Sequence, residues 1–364
     1  MTSFRSDGDV TYTPPENLML PIAAALRGKS GPIGVALSGG ADSAMLAVAA
    51  DAYARQYDRA LHFFHVHHGL LEQADAWADH VRTLAVLLNR PLHVSEVRVA
   101  MGEGRGMEAA ARDARYAAIN QCARESGVGV VLLAHHRDDQ AETVLLRLLR
   151  GAGVNGMGAM KRERLRDDVL YVRPWLDIDR ADIVDAAQAF AAATQWAPVQ
   201  DPTNTDPRYT RAAVRTQLTP LLNARWPGWQ AVVSRHARQS EEAADILAEV
   251  AQSDLLAVAD GVAPAPAPTS DADSGDGLHA HALPSRLDLK KWRALSAGRQ
   301  KNVLRHWLAL HGSAMPSEAR LLNLQRQLMQ LHAMGHDRNL TVYHGVLRIQ
   351  CIRGKIIVQK ISPR

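Results

Sequence analysis

Short apolar runs alternate along this chain with longer stretches whose apolar positions recur every three or four residues. The runs 33–37, 60–67, 92–99 and 128–134 read as strands, and 42–57, 74–89 and 107–126 carry helical periodicity between them. Apolar strands separated by amphipathic helices predict an α/β fold: a doubly wound parallel sheet covered on both faces. Further on, 179–193, 212–222, 230–259, 299–311 and 317–331 read as helices, and 340–359 as a pair of strands turning at Gly354. The expected whole is therefore the sheet domain followed by a smaller, mainly helical domain ending in a β-hairpin. Boundaries fall at 1–30 (an N-terminal extension with a short helix near 18–26), 31–222 (the sheet domain), 223–259 (a long connecting helix), 260–284 and 285–364. The 260–284 stretch is rich in Ala, Pro, Ser, Asp and Gly and reads as a disordered insertion.

With 364 residues the chain can bury a sizeable core and hold two domains. No uninterrupted apolar run approaches the roughly 20 residues that cross a bilayer. Residues 1–16 are polar and lack the core of a signal peptide, so a cytoplasmic protein is expected. Two cysteines far apart cannot form a disulfide framework or a C-x-x-C site. Net charge is only +4, but its distribution is uneven. Residues 203–240 carry six arginines (Arg208, Arg211, Arg215, Arg225, Arg235, Arg238) against one acid, Asp206, with Tyr209, Trp226 and Trp229 interleaved. Residues 286–305 carry seven Lys or Arg against Asp288. Such segments suit RNA phosphates and unstacked bases, although charged helix faces would look the same.

Between the first apolar run and the first helix after it lies Ser38-Gly39-Gly40-Ala41-Asp42-Ser43. A loop entering a helix gathers unpaired N–H groups and the positive end of the helix dipole at one point, which suits an anion. Gly39 and Gly40 allow phosphate oxygens to approach closely and tolerate unusual φ values; the Ser38 and Ser43 hydroxyls add donors. Asp42 would repel a phosphate unless a cation stood between them, which suggests Mg²⁺. A plain turn with Asp42 as N-cap is the structural alternative. The lysine of G-x-x-x-x-G-K-S/T is missing, so a kinase-type or GTPase-type P-loop is not indicated.

His65, His67 and His68 end the second strand. Alternation puts His65 and His67 on one face, which fits a metal site or a strand ending at a cleft, and no Cys, Asp or Glu stands at ligand spacing. Glu108, Arg112 and Arg115 share one side of the 107–126 helix. The next helix opens directly after a strand with His135-His136-Arg137-Asp138-Asp139. Asp138 can cap it, and Asp139 and Glu142 project from one face. Acids in a first turn are common, but these beside histidines at a strand end fit a cationic substrate, such as the amines of an amino acid, or a metal. The glycine-rich run 150–158 reads as a candidate flap or a plain connector.

The 38–43 string resembles the pyrophosphate loop (PP-loop) of the N-type ATP pyrophosphatases. With the ordered blocks 65–70, 108–116, 134–143, 150–160 and 201–215, the chain is similar to the bacterial tRNA(Ile)-lysidine synthetase family, with a weaker likeness at 286–347. Leu71 and Ala212 depart from it, standing where members often have Arg and Asn. The chain also ends near where longer members continue into a further domain, so acceptor-stem recognition is not expected here.

That resemblance implies a carbon–nitrogen ligase that uses ATP and Mg²⁺ to join L-lysine to the wobble cytidine of the CAU-anticodon tRNA(Ile). Residues 31–222 would be catalytic and 285–364 would bind tRNA, with a homodimer left open. It also implies roles. Ser38, Gly39, Gly40, Ala41, Asp42 and Ser43 would hold pyrophosphate, and Asp42 the metal. Asp139 and Glu142, with Asp138 beside them, would hold the lysine amines. Arg115 and His135 would sit with Asp42 at the reacting centre. Arg112, Arg208, Arg211 and Arg215 would bind substrate, with nucleotide or tRNA open for Arg211 and Arg215. The rival readings are another pyrophosphatase of this type, acting on a different tRNA or amidating a small molecule, and a catalytically decayed tRNA-binding module. A tRNA thiolase would need a cysteine pair or an iron–sulfur motif.

Overall fold

The computed structural model describes residues 12–67, 74–97, 107–199, 206–260, 284–313, 315–331 and 339–361. The chain divides into two units, Met1–Glu241 and Glu242–Arg364.

The first unit contains, in order, α1 (Glu16–Ala25), β1 (Ile33–Ala36), α2 (Ala41–Gln56), β2 (Leu61–His67), α3 (Ala74–Leu87), β3 (Leu92–Glu96), α4 (Met107–Glu125), β4 (Val130–Leu132), α5 (Arg137–Leu149), α6 (Val154–Met157), β5 (Glu163–Arg166), β6 (Val169–Val172), α7 (Arg180–Thr194), α8 (Thr210–Ala213), a π-helical turn (Val214–Leu218) and α9 (Thr219–Arg225). A long helix, α10 (Trp229–Val258), runs on into the second unit.

Six strands form one sheet in the order β3-β2-β1-β4-β6-β5. All pairings are parallel except β5 with β6. Alternation along the strands divides two cores. Val35, Phe63, Leu132 and Val172 pack with α1, α2, α3 and α7, while Phe64, Val66, Val131, Leu133 and Tyr171 pack with Tyr116 and Ile119 of α4. Gly34 on β1 makes room for Phe64, since a Cβ there would stand 2.4 Å from the Phe64 ring. α2 is buried along nearly its whole length, and half of its buried positions are alanine, which lets helices approach closely. Its one fully buried charge, Asp51, is held by Arg55 at 2.8 Å and Arg90 at 2.5 Å. α1 belongs to this core through Leu18, Ile22 and Leu26.

Two features of this unit depart from what the pattern of apolar positions predicts. Strand β5 alternates charged residues around Leu165, an exposed edge pattern with no apolar run to detect. The expected single helix over 212–222 is broken into α8, the π turn and α9; Pro220 in the first turn of α9 supplies no N–H to continue the ladder.

The second unit completes α10 and adds β7 (Arg286–Asp288), α11 (Leu289–Arg293), α12 (Ala297–Leu310), α13 (Glu318–Gln330), β8 (Leu340–His344), β9 (Leu347–Ile352) and β10 (Lys355–Lys360). Its antiparallel sheet has the order β7-β10-β9-β8, packed with Trp292, Trp307, Leu304 and Leu328. The hairpin turning at Gly354 is present as β9–β10. β8, which turns at Gly345, and the three-residue β7 widen it to four strands. Nearly all of the expected insertion, 261–283, lies outside the described residues, as does His68.

Candidate active site

Strand order reverses between β1 and β4: the chain leaves β1 towards β2 and β3, and returns on the other side through β4 and β6. Loops at the carboxyl ends of two such neighbours border a crevice. The β1 loop is 38–43 and the β4 loop leads through His135 and His136 into α5, so both strings singled out in the sequence meet at one place.

The β1 loop is internally tied. The Ser43 hydroxyl donates to Gly40 O at 3.1 Å, accepts from Ser38 N at 3.1 Å and lies 3.0 Å from the Ser38 hydroxyl. Gly39 has φ +93°, and a Cβ there would stand 3.1 Å from Val81 Cγ2. Gly40 differs from expectation: at φ −74° it is ordinary extended backbone as N-cap of α2, so the conformational need for glycine rests on Gly39. His65 Nδ1 is 2.8 Å from Leu37 O and so steadies the strand end feeding the loop.

Asp42, in the first turn of α2, is where the two loops touch. His136 Nε2 lies 3.7 Å from Asp42 Oδ2 and 3.4 Å from Asp139 Oδ2, with the imidazole 1% exposed. Burial alone would lower the His136 pKa, but Asp42 and Asp139 outweigh it and the value is raised. The other oxygen of Asp42, Oδ1, is buried and accepts no hydrogen bond; Arg180 Nε at the start of α7 is 3.9 Å from it.

His136, not Asp138, is the N-cap of α5, which corrects the expected cap. The Asp139 carboxylate accepts from His136 N at 3.2 Å, so the residue three places on closes the first turn. Asp138 stays in that turn, and burial raises its pKa. Asp139 and Glu142 do face one way, and that face meets arginines. Arg215 donates to Glu142 Oε1 at 2.6 Å and Asp139 Oδ1 at 2.9 Å, and Arg211 to Glu142 Oε2 at 2.9 Å. Burial opposes ionisation of Asp139, yet His136, Arg211, His135 and Arg215 bring its pKa down to about 2. Arg211 in α8 and Arg215 in the π turn, four residues apart, both reach this face. They turn inward here and so are not part of an outward basic face.

His135 has a buried Nδ1 with no hydrogen-bond partner. Its pKa falls to about 3, chiefly through burial, with Asp139 opposing and Arg173, Arg211 and Arg112 adding to the fall. It is a neutral imidazole at neutral pH. Arg112 and Arg115 lie on exposed parts of α4, and Arg112 Nη2 is 3.4 Å from the Tyr116 hydroxyl. Arg208 is not brought to this group: it is exposed and paired with Asp206 at 2.6 Å. The glycine-rich run does not stand free, since Met157 packs with Val144 and Ala237, and Arg147 donates to Gly156 O at 2.6 Å.

Sequence reasoning missed His136, Arg173 and Arg180. The first had a signal: side chains alternate, so of two adjacent histidines leaving a strand, one points to each side.

A family model described as the PP-loop domain matches residues 18–222, and one described as the TilS substrate binding domain matches 287–356. A tRNA(Ile)-lysidine synthase of Bordetella bronchiseptica is 55% identical over 345 residues, 94% of each chain. That of Bordetella pertussis is 55% identical over 338 residues, 92% of this chain and 99% of the relative. Among solved structures, a U34-tRNA thiolase from Methanococcus maripaludis superposes with a TM-score of 0.51 at 16% identity, covering 62% of this chain and 78% of that one, a likeness of fold. With a glycine loop and an acidic pair joined through one histidine, and with relatives matched along nearly its whole length, this chain belongs to the PP-loop family of tRNA(Ile)-lysidine synthases.

Proposed function

We propose that this chain is an ATP-dependent ligase that converts the wobble cytidine of the CAU-anticodon tRNA(Ile) to lysidine. The observation that carries the reading is His136, whose one nitrogen lies within 4 Å of both Asp42 and Asp139 and so sets the anion loop directly beside the acidic pair.

The cytosine carbonyl oxygen is amide-like and a poor leaving group, so activation has to precede substitution. That oxygen attacks the α-phosphorus of ATP, pyrophosphate departs, and the lysine ε-amine then adds to the activated carbon and expels AMP. The amine has a reference pKa of about 10.4 and sheds a proton in the course of attack. Backbone N–H groups of 38–43 and the start of α2 would hold the departing pyrophosphate. The unsatisfied Oδ1 of Asp42 fits a cation, so Asp42 would hold Mg²⁺, which supplies charge neutralisation at the phosphates. Asp139 and Glu142 would take the lysine amines in place of Arg211 and Arg215. Neutral His135 would orient the amine or base by hydrogen bonding.

Labelled lysine supplied with ATP should enter the CAU-anticodon isoleucine transcript and not the elongator methionine transcript, with AMP released in step. Equal labelling of both, or AMP release that ignores lysine, would overturn the reading.

A further inference from the structure

Arg173, the first residue after β6, is 3% exposed and makes no ion pair among the described residues. Its Nη1 donates to Lys161 O at 2.8 Å and its Nη2 to the Tyr116 hydroxyl at 3.4 Å, while the buried Nε donates to nothing. Arg112 reaches the same hydroxyl from its own side, also at 3.4 Å, with its guanidinium 5.4 Å from the ring centre. Arg164 pairs with Tyr171 across the β5–β6 ladder, so both side chains stand on the α4 face. Arg147 comes from α5: burial first, then the charges of Arg112 and Arg164, lower its pKa.

Arg112 and Arg173 thus converge on the Tyr116 hydroxyl, Arg164 stands on the same face of the sheet, and Arg147 feels the charges of Arg112 and Arg164; none of the four has a carboxylate partner among the described residues. Their neighbour Arg166, which also lies over the Tyr116 ring, shows the usual solution, an ion pair with Asp113 at 3.1 Å. Leaving like charges together costs free energy, and a buried donor without an acceptor adds to that cost. An anion with several oxygens would relieve both. Arginine's planar fork suits phosphate oxygens in particular. The charges of Arg173 and Arg112 also reach His135, whose pKa they lower.

We infer that Arg112, Arg147, Arg164 and Arg173 form a phosphodiester-binding site for the RNA backbone beside the base being modified. This rests on the proposed function and names a contact that function needs: the target nucleotide has to be held while its base is drawn to His135. The ATP phosphates already have the 38–43 loop. The carboxylate of free lysine, a single anion, would not need four cations, two of which, Arg112 and Arg164, are exposed as a flexible polyanion requires.

The test uses the full chain with R147Q, R164Q and the double variant. It measures affinity for the CAU-anticodon transcript across a salt series, together with KM for ATP and for lysine. Each single variant should bind the transcript roughly three- to tenfold more weakly near 0.1 M salt and lower the slope of log K against log salt by about 0.7 to 0.9. Both other KM values should stay within about twofold. Arg164 is on an exposed edge strand, so R164Q keeps the test sound even if R147Q folds poorly. An unchanged salt slope in R164Q, or a rise in the KM for lysine or ATP instead, overturns the site. A wild-type chain that binds the transcript but incorporates no lysine would overturn the proposed function, while the change in slope would still support the site.

Discussion

Arg215 places its Nε 2.6 Å from Glu142 Oε1 and, with Arg211, fills the acidic pair of Asp139 and Glu142 with the protein's own cations. Glu142 is only 5% exposed on its side chain, whereas Arg211 and Arg215 are about one-third exposed at 33% and 29%. Glu142→Gln therefore removes a buried charge from two half-wetted partners. It should cost about 2 kcal/mol of stability in urea unfolding, below the range for fully buried pairs. A loss under 0.5 kcal/mol would mean that both arginines find water at no penalty.

Asp139→Asn should separate the two small substrates. KM for lysine is expected to rise tenfold or more, while ATP affinity changes by less than about threefold. Lysine dependence identical to wild type would show that the amine binds elsewhere.

The two loop glycines should not behave alike. Gly39→Ala forces a side chain into φ +93° and against Val81, a strain of about 1 to 2 kcal/mol. At Gly40 a Cβ would meet only ordinary contacts, 3.9 Å from the Ser38 hydroxyl and 4.0 Å from Val199 O. Gly39→Ala should sharply reduce AMP formation and Gly40→Ala should retain much more of it. The reverse order would refute the loop geometry.

His135 gives a pH dependence of known sign. Its folded pKa, about 3, lies below the ordinary 6.5, so the unfolded chain binds the proton first as pH falls. Its contribution is therefore fully favourable above pH 6.5 and is lost progressively between 6.5 and 3. In His135→Gln, the fall in unfolding free energy from pH 7 to pH 5 should be smaller than in wild type by on the order of 1 kcal/mol. Parallel curves for the two proteins would show that the imidazole is not held neutral.

Arg235 and Lys290 are exposed. Substituting either by Ala should weaken transcript affinity and lower its salt slope by a little under one, with KM for lysine unchanged. If affinity and slope hold, those basic segments are solvated surface.

Much of this arrangement was legible beforehand because periodicity reports burial. Phe63 and Phe64, adjacent and on opposite faces, already say that the sheet is covered twice, and the 38–43 string sits where an apolar run becomes a helix. Charge pairing was less legible. Arg211 and Arg215 read as nucleotide or tRNA contacts, four apart on a basic segment, while the acids they pair with lie about 70 positions earlier in the chain, beyond any local pattern. Arg173 was missed for a related reason: nothing in Arg173-Pro174-Trp175 tells that the guanidinium is buried, since that depends on Tyr116 and Lys161. β5 failed as an edge strand whose polar residues imitate a loop.

The crevice lies between β1 and β4, which are hydrogen-bonded neighbours from Ile33–Val130 to Val35–Leu132. The two strand ends that feed the 38–43 loop and the start of α5 thus stand one ladder rung apart, roughly 4.8 Å, a spacing fixed by backbone pairing. Natural variation could then rewrite the turn after β4 and leave the 38–43 loop undisturbed.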